Sequence, residues 1–188
     1  MKSTKAAIFV SVALSAGHIG SAAAQSAVYT EIKGEGCKQL RSEAEYSEWQ
    51  CLGPVGQRVL FADMGLMFGV QFGKDAKLQP PFRAAAASIG NKIEWRLDTS
   101  GQPYASIFRA FVSEEINAPK KQQVHQVLVV TKIDGARACH MAYVNAKLQN
   151  ANAKAAEIAD TRAAGFKCGQ DIPERIGEPQ RFYDAESS

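Results

Sequence analysis

The chain has 188 residues, of which 46% are hydrophobic and 22% charged, with 22 Lys and Arg against 19 Asp and Glu. Lys2 and Lys5 lie in a segment expected to be removed, so the remainder carries about one net positive charge. A near-neutral chain lacking a concentrated basic patch argues against nucleic acid or an anionic membrane surface as the main partner.

Residues 1–24 carry the three-part pattern of a cleavable export signal. Lys2 and Lys5 precede an apolar run from Ala6 to Ala16, and Ala22-Ala23-Ala24 stand ahead of Gln25. The run falls short of the ~20 residues that span a bilayer, so no integral membrane segment is expected after cleavage. The expected organisation is a signal over 1–24, a single disulfide-stapled domain over 25–170 and a polar tail over 171–188, in the periplasm or secreted. Cys37, Cys51, Cys139 and Cys168 all lie beyond the signal. An even number in an oxidising compartment reads as disulfides. Of the three pairings that four cysteines allow, Cys37 with Cys51 and Cys139 with Cys168 join segments that local structure can bring together. A zinc site usually shows Cys or His pairs two to four residues apart, and the chain has none.

Val28 to Ile32 alternates as a first strand. Cys37 to Leu40 and Tyr46 to Cys51 make a strand pair around the charged turn Glu43 to Glu45, and Leu52-Gly53-Pro54-Val55-Gly56 is a turn. Arg58 to Ala62 and Leu66 to Phe72 pair around Asp63-Met64-Gly65. In the second of these, Phe68, Val70 and Phe72 alternate with Gly69, Gln71 and Gly73, and strand glycines mark a bend or a close backbone approach. Lys74 to Pro81 is a polar loop. Phe82 to Ile89, with four consecutive alanines, predicts a short helix stopped by Gly90-Asn91.

Ile93 to Leu97 and Tyr104 to Val112 form a further hairpin. Setting Asp98 against Pro103 brings Glu94 opposite Ile107 and Arg96 opposite Ala105. Glu94, Arg96 and Arg109 then share one face, and Ile93, Trp95, Leu97, Phe108, Ala110 and Val112 the other. A Glu between two Arg reads as a cross-strand salt bridge or as an anion site in which guanidiniums fork onto a carboxylate or phosphate. Glu114 to Gln123 is an exposed polar loop.

Gln123 to Val144 is the central hairpin. β-Branched runs flank Asp134-Gly135, a strong signal for a two-residue turn. With those two residues as the turn, Ile133 faces Ala136, Val129 faces His140 and Val127 faces Ala142. Leu128, Val130, Cys139, Met141 and Tyr143 then lie on one face, and His125, Val127, Val129, His140 and Val144 on the other. Both faces are mostly apolar, so both are expected to be covered. A helix follows over about Asn150 to Ala164, with Asn150 or Asn152 as N-cap and Ala155, Ile158, Ala159, Arg162 and Phe166 on its inner stripe. Gly165 stops it.

The fold class is therefore α+β: a bent, largely antiparallel sheet of about seven to nine strands with a short Ala-rich helix and a C-terminal helix, barrel-like closure being the architectural alternative. Nucleophile-elbow, phosphate-loop, metalloprotease and EF-hand patterns are all absent. Neither a catalytic residue nor a metal or cofactor is assigned. The candidate ligand-binding residues are Glu94, Arg96, Arg109 and His140.

Several local patterns resemble a family of small, uncharacterised secreted bacterial proteins. They are Trp49-x-Cys51-x-Gly53-x-x-Gly56, the run Ile93-Glu94-Trp95-Arg96-Leu97 followed by Ala105-x-Ile107-x-Arg109, Gln126 to Val130, and Ala151-Asn152 leading to Phe166-x-Cys168-Gly169. The resemblance implies an export signal, two disulfides and a single domain, and no activity. Members often carry an acidic residue and an arginine near the strand that begins here at Gly65-Leu66-Met67. This chain has neither there, so no charged site is expected at that place. The expected function is a non-catalytic envelope protein that binds another envelope protein or a small anionic ligand, inhibitor-like in general character by analogy of fold. The alternatives are an enzyme, such as a hydrolase assembled from dispersed residues, and a structural envelope component.

Overall fold

Alternation of apolar and polar residues takes most of the chain into strands. The computed structural model describes residues 26–32, 34–65, 68–74, 87–114, 123–135 and 137–177. Within them the first sheet elements are β1 (Ser26–Glu31), β2 (Cys37–Glu43), β3 (Tyr46–Leu52), β4 (Arg58–Asp63) and β5 (Phe68–Gly73). There follow β6 (Ala87–Leu97), β7 (Pro103–Glu114), β8 (Gln123–Asp134), β9 (Arg137–Asn145), the helix α1 (Ala151–Arg162) and the short β10 (Glu174–Ile176). The class is α+β with antiparallel pairing, as expected. The strands divide, however, between two open sheets, one of six strands in the order β1-β6-β7-β8-β9-β10 and one of four in the order β2-β3-β4-β5. Only β10, which adds to β9 from within the expected polar tail, runs parallel to its neighbour.

The six-stranded sheet is the middle layer. One face packs on the smaller sheet through Val59, Phe61, Phe72, Ile93, Trp95, Phe108, Val127 and Val129, all buried. Phe72 meets Trp95 edge-on at 5.7 Å between ring centres and Phe108 at 5.8 Å. Full burial of a phenylalanine of this kind contributes about 1.5–3 kcal/mol. The other face packs Ile107, Leu128, Val130, Met141 and Val144 against Ala155, Ile158 and Ala159 of α1 and Phe166 beyond it. The central hairpin is thus covered on both sides. Among the described residues no helix is long and apolar enough to cross a membrane.

Both expected disulfides are formed, Cys37 with Cys51 across the β2–β3 pair and Cys139 with Cys168 from β9 to the segment after α1. Lys132 Nζ, opposite Cys139 in the ladder, donates to the Phe166 carbonyl at 2.8 Å and holds the same end of the helix.

Three expectations need correction. The central turn is closed by Asp134 opposite Arg137, not Ile133 opposite Ala136, with Gly135 at φ 60° supplying the backbone form that glycine tolerates. The register then slips once more between Val130 and Thr131, so Val129 faces Tyr143 and Val127 faces Asn145. This bulge sends both Met141 and Ala142 to the helix side, moving Tyr143 to the inter-sheet core and Val144 to the helix side, the reverse of strict alternation. Second, residues 87–89 are strand, not the end of an Ala-rich helix. Ser88 and Ile89 pair with Phe111 and Ala110, and Ile89 packs on the inter-sheet core, so tertiary pairing overrides alanine's helix preference. The rest of that expected helix, and most of the loops expected at 74–81 and 114–123, lie outside the described residues. Third, Asn150 holds the N-cap position of α1 but at φ 65°, with no side-chain capping bond.

The first motif is structural. Trp49 stacks on Phe61 at 4.9 Å, and a Cβ on Gly53 would lie 2.6 Å from Trp95 Cζ2. Gly53→Ala drives a methyl group into the buried indole and is expected to cost about 1–3 kcal/mol. A urea melt followed by tryptophan fluorescence measures it, and an unchanged midpoint would mean that the indole moves aside freely.

Candidate functional site

The β6–β7 ladder is broken at one place. Ile89 faces Ala110 and Ile93 faces Phe108, so Gly90, Asn91 and Lys92 stand opposite Arg109 alone. A bulge of this kind bends a strand and opens its face. A groove of roughly 380 Å³ lies there on the helix side of the sheet. Its lining includes buried Ile107 and Leu128 from the sheet, Tyr29, Lys92 and Glu94 from the β1–β6 side, and Asn152 from the first turn of α1.

The strand register puts Glu94 opposite Ile107 and Arg96 opposite Ala105, as the hairpin pattern implied, but a bulge after Arg96 sets Leu97, not Asp98, opposite Pro103. The three charges do not form one cluster, because a residue from the helix divides them. Arg96 forks onto Asp160 of α1, Nε to Oδ1 at 2.8 Å and Nη2 to Oδ2 at 2.6 Å, and also donates to Glu94 Oε1 at 3.1 Å. Tyr104 donates to the same Asp160 Oδ1 at 2.6 Å, and Tyr29 donates to Glu94 Oε2 at 3.1 Å. The Arg96 and Asp160 side chains are 12% and 20% exposed, so the fork is shielded from water. The bond to Asp160 holds the Arg96 pKa above its ordinary value. Burial, followed by the same carboxylate, pushes the Tyr104 phenol up to about 12.

Arg109 stands apart from this lock. Its Nη1 donates to Gln126 Oε1 at 2.9 Å and its Nη2 to Asn152 Oδ1 at 3.4 Å, both neutral acceptors. Among the described residues it has no carboxylate in ion-pair range. Among the described residues two of its five guanidinium N–H groups are engaged, and the other three find no acceptor. Gln126 reaches Arg109 because Arg109 faces Leu128 in the β7–β8 ladder, which makes Gln126 its diagonal neighbour.

His140 is elsewhere, on the opposite face of the sheet. Its Nδ1 lies 2.8 Å from the Tyr143 hydroxyl, and its ring meets those of Tyr143 and Phe108 edge-on, at 5.5 and 6.3 Å. Burial pushes its pKa down to about 4. Thr131, directly across the ladder, makes no hydrogen bond with it. The structure therefore brings Glu94 and Arg109 to one groove, spends Arg96 beneath the helix and separates His140 from all three. Tyr29, Tyr104, Gln126, Asn152 and Asp160 were not among the candidate site residues expected from the sequence. Asp160 alone carried a signal, as an acidic residue next to the inner stripe of the helix. Among the described residues no group of three or more His, Cys, Asp or Glu could hold a metal ion.

Two measurements follow from this division. Asp160→Ala strands Arg96 and Tyr104 and is expected to cost about 2–4 kcal/mol, whereas Arg109→Ala should cost under about 1 kcal/mol. Equal losses in urea melts would mean that Arg109 is structural. Stability should also fall with pH through His140. The fold holds the ring neutral down to about pH 4 while the unfolded chain takes up the proton near 6.5. The contribution is therefore intact above 6.5 and is lost between 6.5 and 4, on the order of 2–3 kcal/mol. His140→Gln should flatten that part of the stability profile, and an unchanged slope would place the titration on other groups.

Comparison of the chain with protein-family models, with curated proteins and with solved structures finds no match. The two disulfides implied by the family resemblance are present, and the resemblance otherwise rests on the motif residues themselves.

Proposed function

We propose that this protein is a non-catalytic binding protein of the cell envelope, periplasmic or secreted, that takes a small anionic ligand in the groove beside α1. Arg109 carries the reading: a guanidinium held by two amide oxygens and, among the described residues, by no carboxylate, at the edge of a groove with an apolar sheet side. A structural arginine is ordinarily paired, as Arg96 is with Asp160. Binding is favoured over catalysis because Glu94 is engaged by Arg96 and Tyr29, and among the described residues the groove lining includes no histidine, cysteine or serine. Two disulfides suit an oxidising compartment, in keeping with the export pattern of residues 1–24.

A second reading, an inhibitor-like protein-binding module, is favoured by the turn after the first disulfide. Leu52 and Val55 are 64% and 49% exposed, and Val55 is held at φ 53°, a conformation that β-branched residues rarely adopt. The turn is closed by the Gly53 N–H donating to the Gln57 carbonyl at 2.8 Å.

Amide chemical-shift mapping of the labelled protein against the low-molecular-weight fraction of periplasmic extract tests the first reading. Shifts should gather at Gly90, Lys92, Arg109 and Asn152. Shifts at Leu52 to Gly56, raised only by the protein fraction, would give the second reading, and turnover of the bound compound would replace both with an enzyme.

A further inference from the structure

We infer that the groove takes an amphipathic monocarboxylic acid, its carboxylate on Arg109 and Asn152 and its hydrocarbon body along Ile107 and Leu128. The inference rests on the groove being the binding site. Three features of the lining narrow the chemistry. The first is charge: Lys92 and Arg109 face one carboxylate, Glu94, so the charged groups of the groove sum to a single positive charge. A monoanion is matched there, whereas a second negative charge on the ligand would meet Glu94, whose side chain is 15% exposed and fixed by its own bonds.

The second feature is donor geometry. Asn152 accepts from Arg109 through Oδ1, which leaves its amide N–H groups to donate. A planar guanidinium edge with an adjacent amide suits the two coplanar oxygens of a carboxylate, because parallel N–H donors reach both at once. The third is the apolar side. Ile107 and Leu128, 5% and 4% exposed and part of the helix-side core, give the groove a narrow rigid floor that cannot hydrogen-bond a sugar or a peptide backbone, and the exposed Tyr29 ring adds apolar surface beside it. At roughly 380 Å³ the groove holds about a dozen waters' worth of volume, which suits a medium-chain or arylalkanoic acid.

Titration of the full chain with hexanoate, hexanol, hexylamine and hexyl phosphate, read by calorimetry and by the amide shifts of Gly90, Arg109 and Asn152, tests this. Hexanoate should bind best of the four. Arg109→Gln should weaken hexanoate by about tenfold or more with its melting midpoint nearly unchanged, Arg109→Lys should recover part of the loss, and hexanol should be indifferent to both. If hexanol binds the unsubstituted chain as well as hexanoate does, or Arg109→Gln leaves hexanoate unaffected, the acid is overturned while the groove stands as a binding site. Tighter binding of hexyl phosphate overturns the carboxylate in favour of a phosphoryl ligand. If none of the four binds while the extract still shifts the groove amides, the ligand class is wrong. If the extract is blank as well, the binding function falls with it.

Discussion

The fork from Arg96 to Asp160 is the interaction on which the helix layer depends. The inner stripe of α1 is mostly alanine, Ala151, Ala155 and Ala159 around a single Ile158, so apolar burial is modest and by itself orients the helix weakly on the sheet. A guanidinium with a bidentate carboxylate fixes direction and register together, since both oxygens must meet both nitrogens. Shielding such a pair from water costs desolvation energy, which the further bonds from Tyr104 and to Glu94 help to offset. The cost is a reason to read the lock as specifying where the helix sits more than as adding stability. Asn152 projects from the same helix, so the lock also sets the distance between Asn152 and Arg109 and, with it, the mouth of the groove.

Two arginines on one face of one hairpin therefore have different meanings, and the difference comes from what lies above them. Arg96 lies under the last turn of the helix, where Asp160 is available. Arg109 lies near the helix start, where the available acceptors are amides. The bulge at Gly90 to Lys92 completes the contrast by widening the sheet opposite Arg109. A ligand site made this way needs no motif, because its parts come from β1, β6, β7, β8 and α1 and meet only in the folded chain.

Local patterns were legible where pairing is short-range. The β6–β7 register was legible from Ile93 to Arg96, and with it the burial of Ile93, Trp95, Phe108 and Ala110 opposite a polar Glu94, Arg96 and Arg109, though not the bulge that sets Leu97 opposite Pro103. The helix and both cysteine pairings were legible too. Bulges were not. Met141 and Ala142 look like any two residues of an alternating strand, and only the fit of β9 between two covered faces decides that both turn toward the helix. Residues 87–89 read as helix by propensity, while β7 supplied a strand partner that propensity does not contain. Asp160 shows in the sequence only as an acid beside the inner stripe of the helix, because its partner is over 60 residues away and docking of helix on sheet leaves no periodic trace.

The two disulfides join cysteines that are consecutive in the chain, over separations of 14 and 29 residues, and their loops neither overlap nor nest. When such a chain enters an oxidising compartment N-terminus first, each thiol meets its native partner before any other new cysteine arrives. Oxidation in order of emergence thus yields the correct bonds directly. On that route the native bonds form without reshuffling of any bond already made.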